Sequence, residues 1–201
     1  MRKFFAESLG TFALSLVVLM AMATATAATP WLVGLTLGLF VYSIGNISGT
    51  HINPAVTVGA WSLGKISGKN ALGYVVSQFL GAGLAMLVMS LFAPGLIEHL
   101  FETAAQVDLS AKIFFAEVLG MFFFAFGIAS VMYKKVPSQL SGLVVGLSLT
   151  LGAIMVGPIS GGVLNPAVAL VVGEFNWVYL LAPIVGSVLG MQSYRMLANE
   201  K

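Results

Sequence analysis

Two asparagines, Asn53 and Asn165, have the most chemistry to offer, and each is followed by Pro-Ala: Pro54-Ala55 and Pro166-Ala167. Proline suits the first position of a helix, where its missing N–H costs nothing, and asparagine is a good N-cap. The pattern predicts that one helix starts at Pro54 and another at Pro166. Each carboxamide oxygen can accept from its own helix, which leaves an NH₂ group to donate elsewhere. Each helix start also presents the positive end of a dipole, worth about half a charge. A single Asn-Pro-Ala reads as an ordinary capped turn. Two in matching surroundings point to paired donors that accept a neutral solute with a lone pair and repel cations, hydronium included.

Other reactive side chains are scarce. The sequence has no cysteine and two histidines. This excludes thiolate nucleophiles, disulfides and cysteine metal sites. No nucleophile–base spacing stands out, so neither an enzyme, a metal site nor a cofactor is expected. Glu7 and Glu117 lie inside long apolar runs, where a carboxylate is expensive and usually functional. A proton relay is one reading, and their matching positions favour a structural one. His51, two residues before Asn53, can serve as a pH gate, because histidine titrates near neutrality, or as a pore-lining imidazole that does not switch. His99 sits with Glu98, Glu102 and Asp108 in a segment read as solvated loop surface.

The elements that position these residues follow from composition. Of 201 residues, 59% are hydrophobic and 8% charged, against about 25% charged in soluble domains. Too little polar material remains to cover a water-facing globule, so the solvent is lipid. The basic residues form no cluster, which removes the nucleic-acid reading that a net charge of +2 invites. Six apolar segments approach the ~20 residues of a spanning helix: Phe4–Ala27, Trp31–Ile47, Ala71–Phe92, Lys112–Tyr133, Gln139–Gly157 and Trp177–Leu197. Two more, Asn53–Leu63 and Asn165–Gly173, are too short to cross.

The chain repeats itself. Phe5-Ala6-Glu7-Ser8-Leu9-Gly10 recurs as Phe115-Ala116-Glu117-Val118-Leu119-Gly120, and Ile47-Ser48-Gly49 through Asn53-Pro54-Ala55-Val56 recurs as Ile159-Ser160-Gly161 through Asn165-Pro166-Ala167-Val168. The repeats are residues 1–100 and 102–201, read together as one channel domain. Each holds three crossings, an odd number, so the two lie in opposite orientations and their short helices enter from opposite faces to meet near the midplane. With the N-terminus in the cytoplasm, Arg2, Lys3, Lys65, Lys69, Lys134, Lys135, Arg195 and Lys201 fall inside and Lys112 alone outside. The positive-inside rule asks for this, and the count works only if both short segments return to the side they left. The expectation is an all-α membrane protein with six transmembrane helices, two re-entrant half-helices and both termini cytoplasmic.

At these motifs the sequence resembles the aquaporin and glycerol-facilitator superfamily. The marks are Ala6-Glu7 with Gly10, Ser48-Gly49-x-His51-x-Asn53-Pro54-Ala55-Val56-Thr57, Gln78 with Gly81, Ala116-Glu117 with Gly120, and Ser160-Gly161 with Asn165-Pro166-Ala167. The resemblance implies an hourglass pore in each subunit, a homotetramer in a plasma or inner membrane, and carboxylates that accept hydrogen bonds from the loops leading into the half-helices. It also implies an outer constriction with four lining positions, which fall on Val33, Ala153, Gly162 and Val168. Relatives carry an aromatic residue at the first and arginine at the last, so this chain departs from the pattern. Without charge, ring or donor, the aperture is expected to be wider and more apolar than a strict water channel's. That favours polyols such as glycerol, amides such as urea, or undissociated metalloid hydroxides such as arsenous acid, with water passing too. Proton exclusion then rests on the opposed dipoles. The alternatives are a water-selective pore whose filter other residues rebuild, and a coupled transporter, since broken helices in inverted repeats occur there as well.

Overall fold

The computed structural model describes residues 1–104 and 110–199. Asp108 and Lys201 lie outside them. Six long helices account for most of the chain: α1 (Arg2–Ala23), α2 (Thr29–Ser48), α4 (Gly68–Phe92), α6 (Ala111–Met132), α7 (Ser141–Ser160) and α9 (Trp177–Leu197). Between them lie two stubs, α3 (Pro54–Ser62) and α8 (Pro166–Val171), and the short α5 (Pro94–Ala104). At about 1.5 Å per residue, nine residues in α3 and six in α8 fall far short of a hydrocarbon core of about 30 Å.

The first four spans and the stretch 138–160 containing α7 have mean hydropathies of 1.5 to 2.0 over a spanning length. The sixth, α9, has 21 residues but carries Gln192-Ser193-Tyr194-Arg195 in its last two turns, which lowers its apolarity. Its length and its packing against α6 make it the third span of the second repeat. Large apolar residues such as Leu35, Leu39, Leu80 and Phe115 face outward, while Glu7, Thr11, Gln78, Glu117 and Ser187 are fully buried. This is the reverse of a water-soluble protein and suits lipid as the outer solvent.

The packing follows the repeat. Within the first half α1 lies against α4, and within the second α6 lies against α9. A Cβ on Gly81 of α4 would strike the Ser8 carbonyl of α1, and one on Gly186 of α9 would strike the Val118 carbonyl of α6. These two glycines let equivalent helix pairs approach backbone to backbone, as membrane helices do where small residues meet. The halves join along α2 and α7. They also interlock, because α3 packs mainly on α9 of the second half and α8 mainly on α4 of the first.

One element has no counterpart in the sequence reading. Helix α5 lies in the connection between α4 and α6, with Leu100 buried against Gly173, just beyond α8. The boundary between the repeats, residues 100–102, falls inside it. Glu98, His99 and Glu102 gave the segment the look of a loop. Pro94 starts it as a helix all the same, and Leu96, Ile97 and Leu100 pack inward.

Candidate pore

The pore centre is built from two loops that carry the same unusual backbone. Leaving α2, the chain passes through Gly49, Thr50 and Ile52 with φ of 87°, 52° and 37°. Leaving α7, it repeats the course through Gly161, Gly162 and Leu164 with φ of 79°, 64° and 52°. The left-handed region is unfavourable for a side-chain-bearing residue, and a β-branched one such as Ile52 is an outlier there. Such strain, roughly 1–3 kcal/mol each, persists only where the surroundings over-determine it.

Here the surroundings are a carboxylate in each half. Glu7 accepts from the peptide N–H groups of His51 (3.0 Å) and Ile52 (2.6 Å) and from Gln78 Nε2 (2.8 Å). Glu117 accepts from the N–H groups of Val163 (3.1 Å) and Leu164 (2.7 Å) and from Ser160 Oγ (2.6 Å). Tyrosine hydroxyls hold the helix ends just before: Tyr74 donates to the Ser48 carbonyl at 2.7 Å and Tyr179 to the Ser160 carbonyl at 2.8 Å. Gly10 and Gly120 leave the space that Ile52 and Leu164 occupy. Both glutamates thus hold loops in place.

With the loops fixed, α3 and α8 start tip to tip. Asn53 Oδ1 accepts from Ala55 N at 2.8 Å, and Asn165 Oδ1 from Ala167 N at 3.0 Å. The NH₂ groups then cross over. Asn53 Nδ2 donates to the Leu164 carbonyl at 2.9 Å, and Asn165 Nδ2 donates to the Ile52 carbonyl at 3.0 Å. An amide nitrogen carries two hydrogens, so each asparagine keeps one for the adjacent cavity.

That cavity, of about 260 Å³, opens beside Thr29 and Pro30 and runs inward past Val33, Ala153, Gly162 and Val168 to Asn53, Asn165 and His51. The four positions counted from the sequence therefore line one space with both asparagines. Gly162 sits against Ala153, so close that a Cβ on Gly162 would lie 2.8 Å from the Ala153 carbonyl oxygen. Val168 is buried on α8. A second cavity, of about 430 Å³, opens on the face that bears the termini, among Lys65, Ser67 and Asn70, and also ends at His51. His51 is the residue the two cavities share.

The supports of the two loops differ in polarity. His51 Nδ1 lies 3.2 Å from Thr57 Oγ1, which takes a hydrogen bond from Gln78 Nε2 at 3.0 Å. The equivalent positions in the second half hold Val163, Ala169 and Pro183. Sequence reasoning missed the link from His51 through Thr57 and Gln78 to Glu7. It also missed the apolar lining of Leu14, Leu37, Phe124 and Leu149. The signal was available, since Leu14 and Phe124 each stand seven residues beyond a repeat glutamate, two helical turns along the same face. Among the described residues no cluster of His, Asp and Glu could hold a metal ion. On the face away from the termini, burial pushes the Glu174 carboxyl above the usual range, offset in part by a hydrogen bond from Asn176.

Membrane-length helices in two inverted triplets, with two half-helices meeting at an asparagine pair beside an open cavity, define an integral membrane protein of channel architecture. The family model described as major intrinsic protein matches residues 1–194, and the chain belongs to that family, whose members are channels and not enzymes. Similar proteins include Aquaporin NIP1-1 of Zea mays, 35% identical over 171 residues that cover 82% of this chain and 60% of that protein. Aquaporin AqpM of Methanothermobacter marburgensis is 32% identical over 184 residues, covering 83% and 75%. The chain spans about three fifths of the length of the maize protein. The X-ray structure of the aquaglyceroporin from Plasmodium falciparum superposes with a TM-score of 0.75 at 25% identity, covering 98% of this chain and 96% of that one.

Proposed function

We propose that this protein is a passive channel for small uncharged solutes, one that admits molecules wider than water. The observation that carries the reading is the lining of the outer constriction. Val33, Ala153, Gly162 and Val168 share the cavity that reaches Asn53 and Asn165, and none of the four offers a charge, a ring or a side-chain donor. Pore width and lining donors set selectivity in such channels. The small apolar ring therefore supports passage of polyols, urea-like amides and undissociated metalloid hydroxides such as arsenous acid, alongside water. The relatedness to an aquaglyceroporin points the same way.

Ion and proton exclusion in this reading comes from the half-helix starts at Asn53 and Asn165, whose positive ends face one solute file. Two repeats, 1–100 and 102–201, act as one channel domain. Both termini lie in the cytoplasm of a plasma or inner membrane, and four subunits assemble. Light scattering of the purified protein in detergent tests the tetramer.

Stopped-flow light scattering on reconstituted vesicles tests the function, with water, glycerol, urea and arsenite as solutes. Wild type is expected to pass all four faster than protein-free vesicles do. Val168→Arg is expected to keep water and lose the larger solutes. Unchanged glycerol flux in that variant would remove Val168 from the selecting ring. A proton flux that scales with protein content would contradict exclusion by the dipoles.

A further inference from the structure

The repeat equivalences identify a second ring, deeper than the outer one. Three pairs of equivalent residues line the cavity at the level of the half-helix tips: Asn53 with Asn165, Leu37 with Leu149, and Leu14 with Phe124. Each pair keeps the register of the motifs around it. Leu14 and Phe124 stand seven beyond Glu7 and Glu117, and Leu37 and Leu149 stand sixteen before Asn53 and Asn165. The first two pairs match in type. In the third, a leucine on α1 fills the role that a phenylalanine fills on α6, so Phe124 and the His51 imidazole are the two rings lining this cavity, and Phe124 is the apolar one.

Gly161 is exposed, Thr29, Val33 and Gly162 are half-buried, and Ala153 and Val168 of the outer ring are buried. The six residues of the inner ring retain only 1 to 5% of their surface, with Phe124 lowest at 1%. Phe124 is the bulkiest apolar side chain lining this space, and it lines it together with both asparagines.

We infer that Phe124 sets the size limit of the channel: its ring, held opposite Leu14 beside the paired asparagines, is the gauge that a solute must pass after the permissive outer ring. This deepens the reading of the protein as a solute channel and rests on it. A rigid apolar ring at that level discriminates by width, while the asparagine N–H groups supply the polar contact. The solutes it admits are slender hydroxylated or amide molecules that present one polar edge to Asn53 and Asn165 and a narrow apolar edge to Phe124. Branched solutes, or cyclic ones of similar polarity, are rejected there.

The experiment compares Phe124→Leu, Leu14→Phe and wild type in reconstituted vesicles, with water, glycerol, erythritol and xylitol as solutes. Phe124→Leu installs the residue that the equivalent site already carries, so the fold has a precedent for it. It is expected to raise erythritol and xylitol permeability relative to water by about tenfold or more, the scale on which a pocket senses a small change in apolar bulk. Leu14→Phe places a second ring across from the first and is expected to lose glycerol while keeping water. An unchanged polyol-to-water ratio in both variants would overturn the inference. So would a limit that moves with Val168→Ala and not with Phe124→Leu. Wild-type glycerol flux above that of protein-free vesicles shows that the channel reading stands whatever the variants do, and its absence would overturn both.

Discussion

Replacing Glu117 by alanine puts the loop architecture under the most direct strain. The carboxylate is completely buried and receives Ser160 Oγ at 2.6 Å, Val163 N at 3.1 Å and Leu164 N at 2.7 Å. Without it, the serine hydroxyl can still turn to the Val156 carbonyl, 3.4 Å away. The two peptide N–H groups have no such alternative, because the left-handed turn at Leu164 aims them at the vacated site. A buried donor left unsatisfied costs about 1–3 kcal/mol, so two cost roughly 2–6 kcal/mol. Glu117→Gln keeps the shape and one accepting oxygen but turns its NH₂ toward a donor, a loss of about 1–3 kcal/mol. Reversible unfolding in mixed micelles, followed by circular dichroism, measures both. The alanine variant should be the weaker and should also lose water flux, since Leu164 presents the carbonyl that orients Asn53. An alanine variant within about 1 kcal/mol of wild type, a value below one unsatisfied group, and with normal flux would refute the view that this carboxylate holds the loop.

Further expectations concern the paired features of the two halves. Gly81→Ala and Gly186→Ala should each destabilise by about 1–3 kcal/mol in the same unfolding assay through overpacking, because the added methyl meets backbone on α1 or α6. Gly83→Ala, with nothing near its Cβ, should be neutral or stabilising. Tyr74→Phe and Tyr179→Phe each leave one carbonyl without its hydroxyl donor and should cost about 1 kcal/mol, by similar amounts in the two halves. Glu174 is held above the usual carboxylate range by burial, so its neutral form fits the fold better than its charged one. Thermal stability should therefore rise as pH falls from the raised value toward the ordinary carboxylate one, and Glu174→Gln should flatten this part of the profile.

Much of the arrangement could be read from residue types because membrane helices leave few choices. The half-helix starts at Pro54 and Pro166 follow from capping alone, and their inability to span follows from length. The cross-bonding of Asn53 to the Leu164 carbonyl was not legible, since it depends on two loops that meet only in three dimensions. The inner ring was hidden for a different reason. Helix α1 does mark its inner face, with the buried stripe Glu7, Thr11 and Ser15. In α6 Glu117 is the one buried polar side chain, so Phe124 emerges by counting turns from Glu117. Helix α5 went unread because three ionisable residues in eleven disguise a packed apolar edge.

The crossed asparagine bonds carry a consequence for biogenesis. While the first half alone has been threaded into the bilayer, Asn53 lacks the acceptor it will finally use, and the Ile52 carbonyl lacks its donor. Neither can be supplied until residues 164 and 165 have been synthesised and folded inward from the other leaflet. The centre of the conduit must therefore set last, as a joint closure of early and late chain. The two triplets, produced as separate polypeptides, should conduct only once they have found each other in the same membrane.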